Sequence, residues 1–396
     1  MTLTTREKQI VTALITVDGI GRGTIRQLKD KLRQEKASWL DFWRNSDPAW
    51  QQKMGLKSNQ RAALKKWQQS HQPETYFGSL QSRNIRIVTI EDKNYPILLK
   101  NIDDPPQLLF VKGPISSSIE RPLAVVGTRN ISGYGRQVCQ QLIPNLVACG
   151  VTIVSGFMYG VDVTAQKIAH QHGGQTIGVL GFGFDQMYPR HQQSLFRELV
   201  AAGQTFISEY PPHTRPNAGL FPERNRIVAG LSAAVLVIEA GQKSGSHITA
   251  RLAGQEGRSL CAIPGPINSP FSEGTKWLIN EGAKLVTSPQ EIMSEAGFEA
   301  GGWSQEFIKQ FKQNKQKEQH KKTKKEKKPS RKTQSQIKFD AQEQQKIYQQ
   351  LKTAALSTDQ LVQQTKLPIT TINTHLSLLE LRGLLRQEAG CWFIQS

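Results

Sequence analysis

The chain has 396 residues, too many for one ordinary core, so two or three domains are expected. Its 51 Lys and Arg against 32 Asp and Glu give a net charge of +19, which favours a polyanionic partner. Four scattered cysteines with no CxxC exclude a disulfide frame or a cysteine zinc site, the apolar runs are too short to span a bilayer, and MTLTTREKQI has no signal core, so a cytoplasmic setting is expected.

Residues 1–72 read as an N-terminal helical domain. Ile10, Leu14 and Val17 keep helical spacing after a capping Thr5, and Ile25, Leu28 and Leu32 line one face of a second helix. Between them Val17-Asp18-Gly19-Ile20-Gly21-Arg22-Gly23-Thr24 has the form of a helix-hairpin-helix (SAM-like) turn, whose N–H groups either grip a phosphate or simply turn the chain. Trp39, Trp43, Trp50 and Trp67 read as core of this domain.

Residues 73–300 carry a different rhythm. After IRIVTI and a proline-punctuated bridge, apolar strands read at 123–127, 151–156, 176–181, 205–210, 234–240 and 259–265. Their starts are 28, 25, 29, 29 and 25 residues apart, the length of one βα unit. Alternating strands and helices predict an α/β domain with a Rossmann-like, doubly wound parallel sheet, and ligands in such sheets bind beyond the strands' carboxyl ends. The first strand is followed by Gly127-Thr128-Arg129-Asn130-Ile131-Ser132-Gly133, which is not GxGxxG, and no Walker lysine motif exists. No NAD or ATP cofactor is expected.

The stretch Phe221 to Arg251 concentrates the candidate chemistry. AVLVI (234–238) has no polar residue and reads as a central strand covered on both faces. Beyond it, Lys243, Ser244, Gly245 and Ser246 offer a cation, hydroxyls and free amides at the start of a helix, a ready anion site. Upstream, Arg224 and Arg226 flank Asn225, and Phe221 supplies a ring. Guanidiniums, an amide and an aromatic beside an anion-binding loop suit a phosphodiester with a stackable base.

Residues 301–338 read as a flexible basic linker: 12 Lys and 1 Arg against 3 Glu fall within 305–338, about half of the chain's net charge. Residues 339–396 read as three helices and a β-hairpin, a winged-helix pattern. Its third helix presents Thr370, Thr371, Asn373, Thr374, His375 and Ser377 with Arg382 as its one full cation, which favours a protein contact or weak DNA binding over sequence-specific groove reading.

The motifs resemble those of the DNA-processing protein A family (DprA/Smf). The resemblance rests on Tyr95-Pro96-Ile97-Leu98-Leu99, Asp104-Pro105-Pro106, AVVGTRNISGYG, VSGFMYGVD, TIGVLGFGFDQMYPRH, ISEYPP, FPERNRIVAGLSAAVLVIEA, SGSHITARLA and AIPGPI, and covers about residues 76–290. It implies a homodimeric protein that binds single-stranded DNA, protects incoming DNA during natural transformation and hands it to the RecA recombinase. Carried over by motif, the DNA-binding residues are Gly127, Thr128, Arg129, Gly156, Phe221, Arg224, Asn225, Arg226, Ser244, Gly245, Ser246 and Arg251. Two features depart from the family's pattern. No cation stands just before Phe221, leaving Arg215 as the nearest candidate, and Met158 and Gln166 replace a small residue and a His.

The rival reading is a Rossmann-like nucleotide-processing hydrolase of the lysine-decarboxylase-like type. Against it, Thr249 and Ala250 stand where that group places its acid, and no nucleophile–base pair is visible. Asp162 and Asp185 are the carboxylates least explained by sequence, and His170 with His172 lacks a third metal ligand. A third class is an adaptor that works through the winged helix and the linker.

Overall fold

A computed structural model describes residues 3–242, 244–298, 342–351, 356–381, 384–388 and 391–394; Lys243, Arg382 and the basic segment 301–338 lie outside these. The chain divides into two compact units, Met1–Phe311 and Lys312–Ser396.

The first unit begins with α1 (Thr5–Leu14), α2 (Arg22–Gln34), α3 (Trp39–Arg44), α4 (Pro48–Lys53), α5 (Ser58–Ser70) and α6 (Pro73–Gln81). Thr4, not Thr5, caps α1 in a reciprocal box with Glu7. The turn into α2 needs a left-handed residue, met by Gly19 at φ 78°. From α5, Gln60 donates to the Gly19 carbonyl at 2.7 Å and so closes the turn. Trp39 is buried, while Trp43, Trp50 and Trp67 pack on the same core. The helical layer continues past residue 72, because α6 brings Phe77 and Leu80 into that core.

The strands then follow with their crossovers: β1 (Arg86–Thr89), α7 (Ile97–Lys100), β2 (Leu108–Lys112), β3 (Pro122–Val126), α8 (Gly133–Ala148), β4 (Thr152–Ser155), α9 (Val161–Gln171), β5 (Thr176–Leu180), α10 (Gln193–Ala201), β6 (Thr205–Ser208), α11 (Leu220–Gly230), β7 (Ala234–Val237), α12 (Ser246–Gln255), β8 (Ser259–Ala262), α13 (Glu273–Asn280), β9 (Lys284–Leu285) and α14 (Pro289–Glu295). The sheet order is β1-β2-β6-β5-β4-β3-β7-β8-β9. From β6 to β9 all pairings are parallel, whereas β1 and β2 join antiparallel as an outer hairpin. The order reverses between β3 and β7, so the doubly wound reading holds and its switch point is fixed there.

Alternation along each strand feeds two faces. Leu123, Val125 and Leu236 pack beneath α8 and α9, while Ala124, Val126, Val235 and Val237 meet α11 and α12. Toward β2 and β6 the first face is covered by the N-terminal helices instead: Leu108, Phe110 and Phe206 share one cluster with Leu14, Leu28 and Phe42. Helices and sheet therefore hold a common core, with no aqueous gap at the boundary read from sequence.

The second unit has α15 (Gln342–Leu351), β10 (Leu356–Ser357), α16 (Thr358–Thr365), α17 (Ile369–Leu381), β11 (Leu385–Glu388) and β12 (Cys391–Ile394), with strand order β10-β12-β11. Ile347, Leu361, Ile372, Leu376, Leu379 and Trp392 form its core. Ser357 caps α16 and Trp392 Nε1 donates to Thr358 Oγ1 at 3.2 Å, which ties the hairpin to that helix. This is the expected winged-helix arrangement.

Phe206 is fully buried, edge-on to Phe157 and Phe196 at 5.0 and 4.6 Å between ring centres, and its ring fills the space a side chain at Gly178 would take. Phe206→Ala should destabilise the first unit by about 3–5 kcal/mol, measured by urea denaturation against the wild type.

Candidate functional site

Four segments at the carboxyl edge of the sheet close around a cavity of about 460 Å³. The β3–α8 loop supplies Gly127, Thr128 and Arg129; the β4–α9 loop supplies Gly156, Met158 and Tyr159; α11 supplies Phe221, Arg224 and Asn225; the β7–α12 loop supplies Gly241, Ser244, Gly245 and Ser246. The cavity thus spans the switch point between β3 and β7, where doubly wound sheets take ligands.

The first two loops interlock because neither carries bulk where they meet. Thr128 donates its N–H to the Glu239 carbonyl at 2.8 Å, and its own carbonyl accepts from Val161 at 3.2 Å. A Cβ on Gly160, itself at φ 74°, would fall 2.1 Å from that carbonyl. The buried Glu239 carboxylate accepts from the N–H and hydroxyl of Ser132, the residue that caps α8. Glu239 is therefore a clamp that fixes the loop bearing Arg129.

On α11, Phe221, Arg224, Asn225 and Val228 follow the i, i+3, i+4, i+7 spacing of one helical face, and all four line the cavity. Arg224 forms its floor and is 3% exposed. Its guanidinium donates to the Val179 carbonyl and lies against Gly156, where a Cβ would stand 2.3 Å from Nη1. Burial lowers the Arg224 pKa to about 10, against the opposing pull of Asp162, so the group remains cationic at neutral pH. Its Nε has no hydrogen-bond partner. Burial likewise raises Asp162, offset by the Arg224 charge and by amides that include the Gly156 N–H at 3.1 Å. The carboxylate that sequence left unexplained is thus the counter-charge of the floor arginine. Asp185 pairs with Arg83 away from the cavity.

Phe221 is half-buried and open to the cavity. The Arg129 guanidinium stands over its ring at 5.7 Å, and the Phe182 and Tyr188 rings lie 6.3 and 5.8 Å away. Across the mouth Ser244 and Ser246 share a hydroxyl contact of 2.7 Å, and Ser244 Oγ accepts from the Ser246 N–H, the first amide of α12, at 3.3 Å. A floor cation, an exposed arginine, a ring and serine hydroxyls at a helix start make an acceptor for an anion attached to a planar group.

Ten of the sequence-nominated residues converge here, and two do not. Arg226 is turned to the opposite face of α11, buried, and paired with Glu209 at 2.6 Å and Asp104 at 3.2 Å. Arg251, one helical turn beyond the start of α12, is exposed and does not line the cavity. Arg215 does not line the cavity either. Lys243 lies outside the described residues. The sequence reading did not nominate Tyr159, Tyr188 or His191. Tyr159 lines the cavity with its ring tilted against His191 at 5.0 Å between centres, and Tyr188 leans on Phe221. The signal available was their place in loops at strand carboxyl ends.

The fold and the pocket define a Rossmann-like protein with a cationic, glycine-walled cavity at its switch point. Comparison with known proteins gives the particular kind. The family model described as DNA recombination-mediator protein A matches residues 86–297, and the DprA winged helix domain matches residues 328–390. Protein Smf of Synechocystis is 32% identical over 333 residues, 80% of this chain and 82% of that one. Protein Smf of Escherichia coli is 42% identical over 219 residues, 55% of this chain and 59% of its own length. The crystal structure of DNA processing protein A from Streptococcus pneumoniae superposes with a TM-score of 0.62 at 32% identity, covering 74% of this chain and 99% of that one. The chain belongs to the DNA recombination-mediator protein A family, the DprA/Smf family that its motifs resemble.

Gly156→Ala should displace the Arg224 guanidinium from its seat. Overpacking of this kind costs about 1–3 kcal/mol, which guanidinium denaturation would measure, and a crystal structure of the variant should have Arg224 moved into the cavity.

Proposed function

We propose that this chain is a single-stranded DNA-binding recombination mediator that protects incoming DNA during natural transformation and hands it to the RecA recombinase. The observation that carries the reading is the convergence of Arg129, Phe221, Arg224 and the Ser244–Ser246 loop on one cavity beside the switch point. In this reading Arg129, the loop amides and the serine hydroxyls neutralise and orient phosphate, Arg224 supplies a fixed positive floor, and Phe221 stacks a base. Tyr159 and Tyr188 extend the aromatic surface along the rim. A recessed ring asks for an unpaired base, so single strands bind in preference to duplex. The family's description, DNA recombination-mediator protein A, supports the recombination part of this role.

The hydrolase reading gains nothing from the geometry. Thr249 lines the cavity where an acid is needed, and Asp162 already faces Arg224 and the Gly156 amide. We assign the site to binding and not to chemistry.

Fluorescence anisotropy with a labelled oligonucleotide at two salt concentrations tests this. Phe221→Ala should weaken binding by the roughly 1–3 kcal/mol of one base stack, and Arg129→Ala should add a further loss with a shallower salt dependence. Equal affinity for duplex and single strand, or unchanged affinity in the double variant, would sink the proposal. Arg224→Ala is the poorer probe, since it strands Asp162 as a buried charge and costs stability first.

The homodimer is part of the same proposal. The β9 edge of the sheet carries Trp277 on α13 and Leu285 on β9, 49% and 46% exposed, a setting suited to a second copy of the chain. Light scattering after size exclusion should find a dimer, and Trp277→Asp with Leu285→Asp should reduce it to monomer while single-strand binding by each monomer persists.

A further inference from the structure

The second face of α11 is held by the N-terminal domain. Glu223 and Arg226 lie on it, opposite the stripe of Phe221, Arg224 and Asn225. Arg22, the first residue of α2 and part of the glycine turn, reaches across 201 positions of sequence to donate Nη1 to Glu223 at 2.6 Å. Its Nε donates to Asp104 at 3.0 Å, and Nη1 stands 3.8 Å from Glu209. Arg226 grips the same two acids, Asp104 at 3.2 Å and Glu209 at 2.6 Å. Arg26, one turn further along α2, approaches Asp104 from outside at 3.7 Å, so three arginines and three carboxylates form one cluster, with Arg22 the residue that joins Glu223 to the other two acids. Partial burial opposes the charge on Arg22, yet Glu223, Glu209 and Asp104 together hold its pKa above the ordinary arginine value. A guanidinium so engaged is not an idle surface cation, and it is not offered to a phosphate by this turn.

We propose that Arg22 is a positioning residue for the DNA-binding helix: by tying Glu223 directly and Arg226 through Asp104 and Glu209, it sets the rotation of α11 and hence the direction of Phe221 and Asn225 into the cavity. One helical residue corresponds to about 100° of rotation, so a small roll of α11 swings the ring out of line with Arg129. The glycine turn then serves DNA binding by bracing the helix that does the binding. This rests on the single-strand reading above.

The test uses the full chain with Arg22→Ala and Arg22→Lys. Arg22→Ala should weaken binding of a labelled single strand about tenfold, the lower end of what residues that orient a binding group contribute. The slope of log affinity against log salt should not change, because no phosphate contact is lost. In the free protein, amides of 220–230 should exchange faster, and Arg22→Lys, which keeps the charge but cannot span the acids, should fall between. A slope shallower by about 0.7 would mean that Arg22 touches one phosphate itself, and would overturn the proposal. So would wild-type affinity with unchanged exchange. Should Arg22→Ala fail to fold, Arg22→Lys carries both readouts. If the wild type binds no single strand, the DNA reading fails on its own, and exchange in 220–230 still decides whether Arg22 braces α11.

Discussion

The carboxyl edge of the sheet is organised around one buried charge. Arg224 sits under Gly156 with the Val179 carbonyl and Asp162 for company, and an unpaired Nε left over. A guanidinium taken out of water needs compensation of several kcal/mol, and removing one member of such a pair is worse than never having built it. That demand propagates outward. Gly156 must have no side chain, so the β4–α9 loop can run directly over the cation. Phe157 then takes a left-handed backbone at φ 52° with its ring in the core, and Gly160 presses on the Thr128 carbonyl. The GTR loop is thereby fixed against the same floor, and Arg129 is delivered to the Phe221 ring. Two loops from separate βα units and the helix α11 share one geometry because one cation requires it.

The same helix that buries Arg224 ties the two layers of the first unit together. Its apolar residue Ile227 packs against the sheet, its cavity stripe faces the ligand space, and Glu223 and Arg226 meet the helical domain. The N-terminal helices are in turn bonded to the outer hairpin through Leu108 and Phe110 as well as by Lys8 with Asp92 at 2.8 Å. A helical domain with its own core could have been tethered by a linker. Instead its core is continuous with the sheet, and movements of one are felt by the other.

How much of this was legible follows from the physics of each signal. Central parallel strands are buried on both faces, so they read as apolar runs, and the regular spacing of their starts identified the doubly wound sheet. The two-residue β9 carries no such run and was not seen. Glycines and serines at strand ends pointed to the right edge, because close backbone approach needs them. What local motif reading could not separate was Arg224 from Arg226, two positions apart in one motif. Helical phase separates them, since 221, 224, 225 and 228 share a face and 226 does not. Arg251 was drawn in by its nearness in sequence to the serine loop, although one turn of helix carries it out to solvent. Tyr188, His191 and the Arg22–Glu223 pair leave no periodic trace at all, for their partners are set by the tertiary fold.

The composition of the cavity bears on what kind of recognition it performs. Groove readers place amides and paired arginines against the distinct edges of bases, and each such pair discriminates by about 1–3 kcal/mol. Here the polar groups are backbone amides, hydroxyls, guanidiniums and the side-chain amide of Asn225, and the flat surfaces are Phe221 and its neighbouring rings. Phosphate and the face of a base are common to every nucleotide, so the hydroxyls, guanidiniums and rings suit any sequence, and Asn225 is the group able to meet a base edge. Arg129 is exposed to salt while Arg224 is not, which divides the attraction into a screened part and a fixed part. The buried cation keeps the site formed, and the exposed one supplies the part of the attraction that salt can screen.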